Sequence, residues 1–175
     1  MSYSLITHCP QCGNASLSWQ SRKNFSCTDC GFVLYLNIAA AVAVIIEYQG
    51  KILFAVRKHD PGSGMLDLPG GFADPGESAE AAARRELREE LNIDIKDMRY
   101  LFSFPNQYSY KGIEYDTLDM IFLARFDSIP EVEAGDELID TVWIEFDDIE
   151  FEKIAFKSLR QAVQRYLEIK DIGKS

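Results

Sequence analysis

Residues 71–93 read Gly71-Phe-Ala-Asp-Pro-Gly-Glu77, then Ser78 to Arg84, then Arg85-Glu86-Leu87-Arg88-Glu89-Glu90-Leu91-Asn92-Ile93. Ala79, Ala82, Ala83, Leu87 and Leu91 recur at helical spacing, so Ser78 to Leu91 is predicted to be a helix with an apolar inner face. Glu86, Glu89 and Glu90 stand at i, i+3 and i+4, so their carboxylates share another face. A row of acids on a helix is ordinarily a solvated surface, but this placement is locally costly. Glu89 and Glu90 sit in the last turn, where the helix dipole disfavours each anion by about 0.3–1 kcal/mol. Repulsion between Glu86 and Glu90 adds about 0.2–0.5 kcal/mol. A divalent cation would reverse both effects, and an all-oxygen donor set suits magnesium or manganese. Arg85 lies four residues before Glu89 and Glu77 stands near the helix start, so a Glu77–Arg85–Glu89 network would orient a metal-binding acid.

The surrounding chain frames this helix. Ile38 to Tyr48 is rich in Ala, Val and Ile without polar alternation, which suits a strand buried on both faces; Gly50 then turns into a second strand, Ile52 to Arg57. Residues 59–76 hold Pro61, Gly62, Gly64, Gly70 and Gly71 and read as one long loop, the kind that carries function in a compact domain. Further strands are expected at Arg99 to Phe104, Met120 to Phe126 and Thr141 to Glu145, and a terminal amphipathic helix carries Phe156, Leu159, Val163, Tyr166 and Leu167. There is no internal repeat.

All four cysteines precede this region. Cys9-Pro-Gln-Cys12-Gly13 and Cys27-Thr-Asp-Cys30-Gly31 form two Cys-x2-Cys pairs separated by fourteen residues. Glycine after each pair lets backbone amides turn towards the thiolates, and four sulfurs complete a tetrahedral structural Zn2+ site with no open position for chemistry. Two disulfides would use the same residues, but the close pairing and a cytoplasmic setting favour zinc. His8 adjoins the first cysteine, yet four thiolates already fill the site. The expected organisation is a zinc ribbon over residues 1–36 and a catalytic domain over residues 37–175.

Composition bounds the function. Hydrophobic residues make up 47% and charged residues 26%, the balance of an ordinary globular chain. The net charge of −10 repels phosphate backbones, so general nucleic-acid binding is not expected, and Arg22 and Lys23 are the ribbon's only cations. Residues 1–10 lack a signal core and the apolar run Ile38 to Ile46 is too short to span a bilayer, so no membrane role is expected and a cytoplasmic location is.

The stretch quoted first resembles the Nudix box: Gly, five residues, Glu, seven residues, Arg-Glu-aliphatic, any residue, Glu-Glu, any residue, Gly-aliphatic. Gly71, Glu77, Arg85, Glu86, Leu87, Glu89, Glu90 and Ile93 match in spacing, and Asn92 stands where the family has glycine. That position needs a left-handed backbone, which asparagine tolerates next best. The resemblance implies an α/β fold, a mixed sheet sandwiched by helices, and a pyrophosphohydrolase that uses Mg2+ or Mn2+ bound by Glu86, Glu89, Glu90 and the Gly70 carbonyl. Arg85, Glu86, Glu89 and Glu137 would be its catalytic set, with Gly71 and Glu77 supporting the box. Glu137 stands six residues before Trp143, where the family places a further acid, and Glu131, Glu133 and Asp136 share that loop.

Ribbon and box together resemble the NADH pyrophosphatase subgroup, which implies a homodimer and a small nucleotide diphosphate substrate; NADH, ADP-ribose and nucleotide sugars are all open, and nucleoside triphosphates fit as well. Two departures stand out. The subgroup carries a further domain before its ribbon, whereas eight residues precede Cys9. Its signature Ser-Gln-Pro-Trp-Pro-Phe-Pro is here Ser103-Phe-Pro105-Asn-Gln-Tyr108-Ser-Tyr110. Phe104, Tyr108, Tyr110 and Tyr115 are candidates to stack on a base or nicotinamide ring, or else to pack in the core or at a dimer interface, and Arg57 and Lys58 are candidates to meet a phosphate or to be simply solvated. The alternative reading is a non-catalytic ligand sensor or adaptor that keeps the fold.

Overall fold

The computed structural model describes residues 6–132 and 134–172, the side chains of 171 and 172 excepted. It resolves into two compact units. The larger takes in Ala39–Asn106 and residues from Thr117 onward; the smaller combines the chain up to Ile38 with Gln107–Asp116.

The larger unit is a mixed sheet between two helices. Strand β4 (Ala39–Tyr48) pairs parallel with β9 (Ile113–Arg125) and antiparallel with β5 (Lys51–Arg57), which pairs with β10 (Leu138–Glu145). Strand β8 (Arg99–Tyr110) lies beyond β9, giving the order β10-β5-β4-β9-β8. Alternation along β4 explains its unbroken apolar run. Val42, Val44 and Ile46 face helix α1 (Ala79–Leu91), with Ala82, Ala83, Leu87 and Leu91. Ala43 and Ile45 face helix α2 (Lys157–Ile172), with Leu159, Ala162, Val163 and Tyr166. A strand that feeds two cores cannot alternate polar with apolar. Among the described residues no helix is long and apolar enough to cross a membrane.

Helix α1 has the predicted ends. Ser78 caps it by accepting a hydrogen bond from the Ala81 amide at 3.2 Å. Asn92 ends it at φ 54°, ψ 32°, its amide reaching Arg88 O at 3.1 Å while Ile93 N reaches Leu87 O at 3.2 Å. Asparagine therefore does fill a left-handed position.

Two expectations need correction. The loop over residues 59–76 contains two short strands, β6 (Leu66–Asp67) on β5 and β7 (Gly70–Phe72) on β4. Glycine there serves close approach, not looseness: a Cβ on Gly70 would lie 2.1 Å from Val42 O and 2.8 Å from Ala43 Cα. The strand expected to end at Phe104 instead continues to Tyr110 and returns through Ile113, turning at Lys111 and Gly112, both at positive φ.

In the smaller unit, β1 (Leu17–Trp19), β2 (Asn24–Cys27) and β3 (Val33–Tyr35) form an antiparallel ribbon. The hairpin tip belongs to this unit through Asp116, which accepts from Arg22 Nη2 on both oxygens at 3.1 and 3.0 Å and from Gln107 Nε2 at 3.2 Å.

Candidate functional site

Strand β7 and helix α1 meet at glycine. A Cβ on Gly71 would stand 2.5 Å from Glu86 Oε1, so the missing side chain is what admits the Glu86 carboxylate against the sheet. From there Arg85 organises the acids. Its Nε and Nη2 donate to Glu77 Oε1 and Oε2 at 2.9 and 3.0 Å, and Nη2 also donates to Phe72 O at 2.9 Å. Its Nη1 donates to Glu86 Oε1 at 2.8 Å and to Glu89 Oε2 at 3.0 Å. The expected Glu77–Arg85–Glu89 network is present, with Glu86 as a further member. Glu77 above all, then Glu86 and Glu89, hold the guanidinium firmly protonated. In return, Arg85 draws the Glu77 carboxyl below its usual range.

Glu90 stands apart from that network. Its Oε2 accepts from the Gly70 amide at 2.9 Å, and no ion pair among the described residues includes it. Burial pushes its carboxyl up to about 8, and the charges of Asp67, Glu86 and Glu137 push the same way against the Gly70 hydrogen bond. Burial also raises Glu86, against the pull of Arg85. A carboxylate half withdrawn from water and facing other acids is costly unless a cation joins it. Among the described residues the helix carboxylates do not gather into a tight metal-sized cluster, because Arg85 turns Glu86 and Glu89 towards itself.

The loop before β10 closes on the end of α1. Gly135 N donates to Glu90 O at 2.7 Å, and a Cβ there would meet Glu89 O at 2.6 Å. Glu137 is exposed, and its charge bears on both Glu86 and Glu90. Asp136 instead offers its backbone carbonyl to Lys58 Nζ at 2.9 Å, Glu131 is exposed, and Glu133 lies outside the described residues.

Other candidates are occupied within the chain. Arg57 pairs with Asp67 and is not a solvated cation awaiting phosphate. Phe104 packs edge-on to Phe102 against the α2-side core, while Tyr108 and Tyr110 stack on each other at 6.4 Å. Asp67 is a further acid of this region that the sequence does not single out. It is buried, its carboxyl is pushed up to about 6 by burial against the pull of Arg57, and its charge reaches Glu90. The one signal in the sequence was an acid in the segment Met65-Leu-Asp-Leu-Pro69, where its neighbours are apolar.

In the smaller unit the Sγ atoms of Cys9, Cys12, Cys27 and Cys30 lie within 4.8 Å of one another. Cys9 to Cys30 and Cys12 to Cys27 are each 3.7 Å, and all four thiols are free of disulfides. Sulfurs about 2.3 Å from a tetrahedral zinc would be about 3.8 Å apart, so the donor set fits that ion. The two knuckles repeat one geometry: Gly13 N to Cys9 O at 2.9 Å and Gly31 N to Cys27 O at 3.0 Å, each glycine at a φ near 75°. The Phe32 amide favours a Cys30 thiolate, but burial and three neighbouring sulfurs outweigh it and push the thiol up to about 12. A cation would relieve that repulsion. His8 stands outside the quartet, exposed and bonded through Nδ1 to Thr7 Oγ1 at 2.9 Å.

Residues 36–166 match the NUDIX domain family, well over half of the chain, and the chain belongs to that family. Its curated relatives include two proteins named NAD-capped RNA hydrolase NudC. That of Haemophilus influenzae (strain PittGG) is 30% identical over 151 residues, 82% of this chain and 53% of the relative. That of Photorhabdus laumondii is 33% identical over 142 residues, 81% and 52% respectively. This chain thus spans about half the length of these relatives. Among solved structures, a NUDIX hydrolase from Nitrosomonas europaea aligns with a TM-score of 0.74 at 26% identity, covering 96% of this chain and 94% of that one. A bifunctional NMN adenylyltransferase/ADP ribose pyrophosphatase from Francisella tularensis aligns at 0.63 and 26%, covering 77% and 42%.

Proposed function

We propose that this chain is a metal-dependent pyrophosphohydrolase that cleaves the diphosphate bond of a nucleoside diphosphate derivative of the NADH, ADP-ribose or nucleotide-sugar class. The observation that carries the reading is the half-buried Glu90 carboxylate, hydrogen-bonded to the Gly70 amide and lacking a cationic partner among the described ion pairs. Glu86, Glu89, Glu90 and the Gly70 carbonyl would hold Mg2+ or Mn2+. When bound, such an ion polarises a diphosphate and lowers the pKa of a coordinated water. The chain's own residues do the rest. Arg85 orients Glu86 and Glu89, Gly70 and Gly71 let strand and helix approach, and Glu86, Glu89 or Glu137 accepts the proton of the attacking water.

The names of the relatives favour a substrate with an NAD-type diphosphate, and the neighbouring ADP ribose pyrophosphatase keeps ADP-ribose in the panel. A net charge of −10 makes a free nucleotide a better fit than a nucleic-acid chain. The test is to incubate purified protein and Mg2+ with NADH, ADP-ribose, nucleotide sugars and nucleoside triphosphates, identifying products by mass. A mononucleotide released together with the second phosphate monoester (the other mononucleotide of NADH, or the sugar phosphate of ADP-ribose or of a nucleotide sugar) from one of the first three supports the reading. Binding without turnover would favour the sensor instead.

The cysteine quartet is proposed as a structural zinc site, and residues 1–36 as its module. One zinc per chain is expected to survive purification, measured by elemental analysis. Cys27→Ser is expected to lose it and reduce solubility while sparing metal-dependent hydrolysis in whatever protein stays folded. Four titratable thiols in zinc-free protein would contradict this. A homodimer is also proposed, and light scattering at working concentration should give twice the chain's 19.9 kDa. A monomer there would refute it.

A further inference from the structure

Arg57 ends β5 with its side chain largely buried, 18% exposed, against an Asp67 side chain 13% exposed. Its Nη1 donates to Asp67 Oδ2 and its Nε to Pro61 O at 2.7 Å, while the guanidinium lies over the Phe156 ring, 4.8 Å from its centroid. The backbone joins in, with Arg57 N bonded to Met65 O at 3.0 Å and Gly64 N to Arg57 O at 2.8 Å. One residue therefore grips the segment 61–67 at both ends. Gly62, within that segment, runs so close that a Cβ would stand 3.5 Å from Arg57 Cδ and 3.0 Å from Ala155 Cβ.

The gripped segment leads directly into the carboxylate site. Two residues after Asp67, Pro69 O accepts from Val44 N at 2.9 Å; at the next residue, the Gly70 amide donates to Glu90. A buried ion pair adds little net stability relative to apolar side chains of the same shape, so stability alone does not account for this one. What the fork geometry does supply is direction, since a guanidinium can hold two acceptors at fixed angles where an ammonium cannot.

The geometry points to Arg57 as a positioning residue: by bridging Asp67 and Pro61 it fixes the turn 68–70, so that the Gly70 backbone and Glu90 face the bound metal together. This rests on the function proposed above but is read without turnover. The decisive measurement is Mn2+ affinity of the zinc-loaded, otherwise metal-free protein, by electron paramagnetic resonance without substrate, for the parent, Arg57→Lys, Arg57→Met, Asp67→Asn and the double variant R57K/D67N.

Charge and position predict opposite results for Arg57→Met. Removing a cation near an acidic site tightens Mn2+ binding if only charge matters; loss of alignment weakens it. The expected result is weakening by about 10-fold or more in both Arg57→Lys and Arg57→Met, the range for residues that orient metal ligands. Asp67→Asn should weaken binding similarly, and the double variant should be no worse than Asp67→Asn, because Arg57 acts through Asp67. Parent-like affinity in Arg57→Lys, or tighter binding in Arg57→Met, overturns the assignment, as does a lowered melting temperature with unchanged Mn2+ affinity. If Arg57→Met does not fold, Arg57→Lys and the double variant decide. Should the parent hydrolyse nothing in the panel while this pattern holds, the proposed function falls and the positioning role stands.

Discussion

Glu90→Gln is expected to abolish hydrolysis of the preferred substrate, by orders of magnitude, while making the metal-free protein more stable than the parent. The substitution keeps size, helix and the capacity to accept from the Gly70 amide, and removes only the charge that would hold the ion. Its effect on stability follows from burial. In the metal-free parent the Glu90 carboxyl titrates at about 8, against 4.5 as its ordinary value. Folding therefore favours the neutral acid, whose contribution is complete below about pH 4.5 and is lost as pH rises through about 8. The loss is on the order of a few kcal/mol at full ionisation. Thermal melting of metal-free parent from pH 5 to 9 should fall more steeply than that of Glu90→Gln, and Mn2+ should restore the parent selectively. Coincident pH profiles for the two proteins would show that the half-buried Glu90 does not shape the parent's stability in this range.

The second large effect separates adjacent glycines. At Gly70, φ is +152° and an added Cβ meets β4 backbone at 2.1 Å, so Gly70→Ala forces the sheet apart and should leave little folded protein. At Gly71 the clash is with the free end of Glu86, at 2.5 Å, which can swing away. Gly71→Ala is therefore expected to fold with a melting temperature close to the parent's and to lose most of its activity, because the carboxylate that Arg85 holds against the sheet is displaced. Equal activity in Gly71→Ala, or equal stability in both variants, would contradict the close approach of β7 and α1. Circular dichroism melts and the hydrolysis assay read the two effects independently.

The parts of this architecture legible in the sequence are those that rest on periodicity and local chemistry. Helix α1 declares itself through Ala82, Ala83, Leu87 and Leu91 on one face, Ser78 at its start and Asn92 at its end. Strand β4 does so through an apolar run that feeds both cores. The cysteine quartet is legible for the same reason, since two knuckles of fixed spacing need no distant information. Glycine is ambiguous, by contrast. The same Gly70-Gly71 that reads as loop serves as a strand whose value is the absence of side chains, and only the elements pressed against it reveal which.

Contacts between distant residues were illegible too. Nothing in Arg57 as a strand-end cation shows that Asp67 and the Phe156 ring will enclose it. Likewise, Asn106 to Tyr110 mixes polar and aromatic residues in a way that gave no firm strand, yet the hairpin continues through it to Asp116, where Arg22 anchors the tip to the ribbon. The burial of Glu90 stands between these cases. Its cost could be anticipated from the helix dipole, but its depth depends on where β7 and the loop at Gly135 come to rest.

The glutamate face of α1 is proposed as a divalent-metal site built for hydrolysis, separate from the cysteine quartet. It is tested most directly by Mn2+ binding to zinc-loaded parent and Glu90→Gln at pH 8, measured side by side by electron paramagnetic resonance. The parent is expected to bind Mn2+ beyond its one zinc, and Glu90→Gln to bind it about 10-fold or more weakly. Equal Mn2+ affinity in the two proteins, or none in the parent, would contradict it.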